Sequence, residues 1–384
     1  MKSIWARSWS ELTLSEIYAL CKDKKINIKE SNGYYILNYM AGADFHDPYV
    51  REARGIIFDI QYMYTGEPHA PACWAFDKFG NWWESYADKI DWSTAKVQEK
   101  VDGSIIKLWY DFRGGEWVFA TNSCIYAEEA NVNGSSMTYM DLIKMATNYK
   151  DIEQAIKNGA LNTANTYIFE LISPLNKIVV DYSATRLIHI GTRNNSTGEE
   201  FDIDIGIVKP KQYTASSLEE CKALAEHIGS IEEKVVEGFV VVDKNYHRLK
   251  VKTPEYLMAH RFRSNTISHR EMIERALDNK FTEFEEKEYK TIVLYYKYKV
   301  SELIDRINYF VDYAKGIYVE SDYNRKSFAL SIANHPFSAF AFNEIFKNIS
   351  VQDTLKGKNI SWFMKFIDPY PIEKVLSISN VKAN

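Results

Sequence analysis

The strongest constraint on this chain of 384 residues is a change of period at Pro254. Before it, short runs rich in β-branched and aromatic residues read as strands: 34–39, 55–60, 104–110, 117–121, 167–171, 178–182, 186–191, 237–243 and 247–252. The Asp111-Phe112-Arg113-Gly114-Gly115 run between two of them reads as a hairpin turn, since Gly-Gly supplies the backbone freedom a tight turn needs. Helical spacing falls at 14–22, 137–149 and 217–227. After Pro254 the alternation stops, and 271–277, 283–315 and 338–347 carry apolar residues every three to four positions. The pattern predicts a mixed α and β domain over 1–254 and a helical domain over 255–384.

Composition narrows the class. At 46% hydrophobic and 26% charged residues the chain is that of a folded globular protein. No apolar stretch nears the roughly 20 residues of a membrane helix, and the polar start lacks a signal-peptide core, so a cytoplasmic location is expected. Cys21, Cys73, Cys124 and Cys221 are far apart and read as reduced thiols. Net charge is −5, divided as −7 over 1–254 and +2 over 255–384, which leaves the tail open as a solvated helical surface or one facing a polyanion. There is no GxxxxGK[ST] loop, no GxGxxG and no HExxH, so P-loop, Rossmann and zinc chemistry lack support.

The chemistry-bearing segment is Glu99-Lys100-Val101-Asp102-Gly103-Ser104, just before a strand. It fits a surface turn with a solvated lysine, or a nucleophilic Lys100 with Gly103 letting the backbone pass close to a nucleotide. A lysine attacks phosphorus only as the free amine, so its pKa must come down, and neighbouring positive charge does that. Lys250 and Lys252, two apart on a strand, would face the same way and supply it. Glu237 and Glu170 each sit within an apolar strand context and are candidate oxygen ligands for Mg²⁺. Arg54, leading into an apolar strand, and Lys78 add candidate phosphate contacts.

In order, Arg54-Gly55, KxDG at Lys100, Phe169-Glu170-Leu171, Glu237-Gly238-Phe239-Val240 and Lys250-Val251-Lys252 resemble the motifs of covalent nucleotidyltransferases, the superfamily of ATP-dependent ligases and capping enzymes. Arg51 to Phe58, Lys78 to Asn81 and Ser173 to Val179 make the chain most similar to the RNA ligase 1 family of T-even bacteriophages. The resemblance implies an α+β fold: an ATP-grasp-like nucleotidyltransferase domain of antiparallel sheets with flanking helices, then an all-helical C-terminal domain that positions RNA. It implies an ATP-dependent RNA ligase acting through lysyl-AMP on Lys100 and RNA-adenylate, with ATP and Mg²⁺ or Mn²⁺ as cofactors. RNA, as broken tRNA or single-stranded ends, is the implied partner. Tyr39, Arg54, Lys78, Glu99, Glu170, Glu237, Lys250 and Lys252 become the ATP-binding set, Glu170 and Glu237 the metal ligands, and Tyr256 a residue of the ligation step. Two departures stand out: Thr121-Asn122-Ser123 carries no cation where the family has one, and Lys78-Phe79-Gly80-Asn81 lacks one aromatic. A DNA ligase or capping enzyme would share the core but needs an OB barrel after the Lys250 strand. A non-catalytic RNA- or nucleotide-binding relative is the third reading.

Overall fold

A computed structural model describes residues 9, 12–61, 70–231, 235–254, 256, 257, 260, 269–281 and 290–368. The chain divides into two compact units, Met1–Leu257 and Met258–Val375.

The first unit is built on three antiparallel sheets. One holds β1 (Ile26–Ser31), β2 (Tyr34–Tyr39) and β3 (Arg54–Asp59) in that order. A second has the order β10-β4-β11-β12, from β4 (Lys96–Glu99), β10 (Gln212–Tyr213), β11 (Gly238–Val242) and β12 (Arg248–Lys252). The third has the order β6-β5-β7-β8-β9, from β5 (Ser104–Asp111), β6 (Glu116–Thr121), β7 (Asn165–Ile172), β8 (Arg186–Asn194) and β9 (Glu200–Phe201). Each sheet has its own apolar cluster. Helix α1 (Leu14–Asp23) buries Ile17 and Cys21 on the first, α3 (Tyr139–Lys144) and α4 (Tyr149–Lys157) pack on the third, and α5 (Leu218–Ile231) sets Cys221 and Ala225 against Phe239 and Val241 of the second. The short α2 (Pro48–Glu52) leads into β3.

Strand β7 lies between β5 and β8 and is buried along nearly its whole length, the polar Asn165, Thr166 and Glu170 included. The β5–β6 turn is confirmed: the Asp111 carboxylate accepts from the backbone N–H of Arg113 and Gly114, and Gly115 has φ +71°. Two expectations are corrected. Residues 178–182 form no strand, because the N–H groups of Val179 and Val180 point to the Asp102 carboxylate instead of a ladder. The helix expected over 137–149 is shorter, α3 alone at Tyr139–Lys144, opened by a Thr138–Asp141 capping box, and a second helix, α4, starts at Tyr149 where the expected run ends.

The described residues of the second unit are helical: α6 (His269–Asp278), α7 (Lys290–Glu320), α8 (Arg325–Ile332), α9 (Ser338–Lys347), α10 (Val351–Lys356) and α11 (Ile360–Phe363). Along α7 the buried Val293, Tyr296, Val300, Leu303, Ile307, Val311 and Ala314 mark one face. Tyr296 is in that core, the Tyr295 hydroxyl donates to the Asp368 carbonyl and Trp362 packs on Phe340 and Phe366, whereas Tyr298 and Tyr309 are exposed. Tyr289 and residues 283–289 of the expected helix lie outside the described residues.

Candidate active site

Lys100 leaves β4 at the rim of a cleft of about 530 Å³ between the second and third sheets. Its backbone N–H donates to the Gly238 carbonyl at 2.8 Å, which ties the loop to β11. Its ammonium lies 2.7 Å from Glu237 Oε2, while Lys252 Nζ lies 2.9 Å from Oε1 of the same carboxylate. One acidic side chain, 3% exposed, thus bridges two lysines. The approach is close because Gly238, at φ +132°, has no side chain: a Cβ there would stand 2.2 Å from the Val251 carbonyl oxygen. Alternation along β12 brings Arg248, Lys250 and Lys252 to the cleft together.

Asp102-Gly103 is no solvated turn. The Asp102 carboxylate is buried and accepts from Val179 N at 2.8 Å, Val180 N at 2.7 Å and the Tyr256 hydroxyl at 2.7 Å. Its own N–H donates to the Tyr182 hydroxyl at 3.0 Å. Gly103 N–H donates to Glu170 Oε1 at 3.1 Å, and a Cβ on Gly103 would meet the Leu171 carbonyl oxygen at 2.4 Å. Lys100 is therefore carried on a loop held at β11, β7 and the 179–182 segment.

Burial works against charge on Lys100, but Glu237, Glu170 and Asp102 together outweigh it and hold the ammonium above the ordinary lysine value. This differs from the expectation of a lysine acidified by its cationic neighbours: in the free chain the carboxylates are nearer. Burial also opposes charge on Glu237, yet Lys100 and Lys252 hold its carboxyl below the usual range. Glu170 is pushed up to about 7, by burial first and by Glu237, with Lys100 and Arg54 opposing. Lys250 is held well below the ordinary value by burial and by Arg54, Lys78, Lys100 and Lys252. That repulsion is the signature of a site built for an anion.

Seven of the expected residues, Arg54, Lys78, Glu99, Lys100, Glu170, Lys250 and Lys252, line the cleft. Lys250 donates to the Phe79 carbonyl at 2.8 Å and, with Arg54, lies over the Phe79 ring. Three others stand behind the lining. Glu237 holds the lysines, Tyr256 is 2% exposed against Asp102, and the Tyr39 ring lies under the Lys78 ammonium at 5.3 Å. Arg248, paired with Glu200 at 2.6 Å, also lines the cleft, as do Ser104 and Tyr139. Sequence reasoning missed these and the anchoring role of Asp102; period two along β12 was the signal for Arg248. Of the two departures, Asn122 lines the cleft and Gly80 packs on Tyr86 and Ala87, a Cβ there meeting Ala87 Cα at 3.0 Å.

A family model described as RNA ligase matches residues 52–256, which takes in every cleft residue named above. The chain belongs to the RNA ligase family. It is 31% identical over 285 residues to a protein of Autographa californica nuclear polyhedrosis virus named "Putative bifunctional polynucleotide kinase/RNA ligase", covering 69% of this chain and 39% of that one. Against the RNA ligase of Rhodothermus phage RM378 it is 26% identical over 318 residues, covering 67% of this chain and 71% of the phage protein. An archaeal ATP-dependent RNA ligase structure aligns at 14% identity and a TM-score of 0.46, over 77% of this chain and 80% of that one. The chain thus spans well under half of the first of these RNA ligase relatives and about seven-tenths of the second.

Proposed function

We propose that this member of the RNA ligase family is an ATP-dependent enzyme that seals a 5′-phosphate RNA end to a 3′-hydroxyl end. The observation that carries the reading is the lysine pair sharing Glu237 in a cleft where three further cations, Arg54, Lys78 and Lys250, have no carboxylate partner among the described residues. Lys100, once deprotonated, attacks the α-phosphorus; a P–N bond forms and the bond to the pyrophosphate oxygen breaks. Arg54, Lys78 and Lys250 hold the phosphates, and Lys252 takes charge developing at phosphorus. The AMP passes to the RNA 5′-phosphate, and the 3′-hydroxyl then displaces it. Tyr256 acts as a positioning residue through Asp102.

Among the described residues no group of three or more acidic, histidine or cysteine side chains gathers to hold a metal ion. Glu170, a hard oxygen donor lining the cleft, fits Mg²⁺ or Mn²⁺ bound through few carboxylates and completed by phosphates and water. Both oxygens of Glu237 are engaged by lysines, so it fits that role only once Lys100 has moved off. A divalent cation there would supply charge neutralisation at the phosphates.

Incubation with α-labelled ATP and Mg²⁺ tests the reading. An acid-stable, amine-linked AMP on Lys100, chased into joined 5′-phosphorylated RNA, is expected. Label on another residue, or none, overturns it.

The second unit fits an RNA-positioning role by its +2 balance against −7 for residues 1–254. A panel of nicked stem-loops, including a tRNA anticodon loop, against unstructured RNA and DNA strands measures that preference. A DNA ligase reading loses its OB barrel, since the described residues after Lys252 are helical. No helix among the described residues is long and apolar enough to cross a membrane.

A further inference from the structure

Lys107, midway along β5, has no exposed surface, and its ammonium donates to the Gly55 carbonyl. The charged or ionisable groups that reach it are the thiols of Cys73 and Cys124 and the Arg54 guanidinium; no carboxylate is among them. Burial, reinforced by Arg54, pushes its pKa down. A buried ammonium without a counter-charge is costly, and folds keep one where something compensates it.

The surroundings show what. Gly55 has φ +77°, and the point a Cβ would occupy on it lies 2.7 Å from Lys107 Nζ and 2.8 Å from Asn122 Cα. The ammonium therefore sits directly behind the place where the 121–123 loop meets Arg54. Arg54 and Asn122 both line the cleft, and Arg54 Nη1 is a buried donor with no acceptor. The loop itself, Thr121-Asn122-Ser123, carries no cation.

We propose that Lys107 charges this wall of the cleft from inside the fold, so that Arg54 and the 121–123 loop form a subsite for one phosphate group. It is a positioning residue, 0% exposed and out of reach of substrate. The inference rests on the ligase reading only for the source of the phosphate, which is either ATP or the 5′ end of RNA.

The test uses Lys107→Met and the double variant Lys107→Met/Asn122→Lys, which returns the cation from the cleft side. Calorimetry at low salt gives the affinity of the full chain for ATP, for a 5′-phosphorylated RNA oligonucleotide and for its 5′-hydroxyl counterpart. Lys107→Met should weaken one phosphate ligand by about tenfold while leaving the 5′-hydroxyl strand unaffected, and the double variant should recover most of the loss. Loss confined to ATP assigns the subsite to the nucleotide, and loss confined to the phosphorylated strand assigns it to the RNA end. The melting temperature should hold or rise, since a desolvated charge is removed. Unchanged affinity for both ligands overturns the proposal, and so does a loss that Asn122→Lys leaves in place. These are binding measurements, so they stand apart from the α-labelled ATP experiment that tests the ligase reading.

Discussion

The hydroxyl of Tyr256 donates a 2.7 Å hydrogen bond to Asp102 Oδ1 across 154 residues of sequence, and both groups are buried. The segment that follows β12 is thereby linked to the loop that carries Lys100. Tyr256→Phe should leave a buried carboxylate oxygen short of a partner and cost about 1–3 kcal/mol in urea unfolding. Lysyl-AMP formation should slow as the loop loosens, while Tyr256→Leu, which also opens a cavity, should do worse on both counts. A Tyr256→Phe protein with wild-type stability and rate would show that the bond carries no positioning.

Glu237 holds Lys100 as an ammonium, so Glu237→Gln should lower the lysine's pKa. Labelling of Lys100 by an amine-acylating reagent, followed by mass spectrometry against pH, should show its half-point moving to lower pH in the variant. A half-point that stays put would mean that Glu237 does not set the lysine's charge. Lys100→Arg should form no adduct with ATP at any pH, because a guanidinium is not a free base in this range.

Glu170 has a pKa near 7 in the fold against an ordinary 4.5. The raised value means that the folded chain binds the proton more tightly than the unfolded one. Stability is thus highest below about 4.5 and is lost as pH rises through 7. Relative to Glu170→Gln, the wild type should lose on the order of 3 kcal/mol across that window. Parallel stability curves from pH 4.5 to 8 would remove Glu170 from a desolvated position.

Lys250 lies well below its ordinary pKa because burial and four cations act on it. An anion in the cleft should raise it again, so binding of pyrophosphate should take up protons. Calorimetry in buffers of different ionisation enthalpy reads that uptake, which Lys250→Met should reduce. Binding with no net proton transfer near the lowered pKa would contradict the picture.

Much of this site was legible in the sequence because its cations and carboxylates sit at fixed offsets within strands. Lys250 and Lys252 share the cleft as period two requires, and Glu170 lies on the buried strand expected of it. The polar strands β1 and β4 escaped notice, since Ile-Asn-Ile-Lys-Glu-Ser and Lys-Val-Gln-Glu carry little apolar signal; β1 is held by its hairpin with β2, and β4 owes its pairing to β10 and β11, far along the chain. Residues 178–182 misled for the opposite reason: β-branched content is high, but a single carboxylate, that of Asp102, takes the backbone donors of Val179 and Val180. The charge state of Lys100 was also out of reach. It depends on which of several neighbours lies closest, and that is settled by a glycine contact between β11 and β12 that no offset encodes.

The β11–β12 hairpin lies at the C-terminal end of the first unit, yet it supplies both lysines of β12 and pairs through β11 with β4. A chain still on the ribosome can form the sheets that precede it but not the lysine-bearing wall of the cleft. For the proposed ligase, ATP consumption should therefore switch on in one step, only after residue 256 has cleared the exit tunnel.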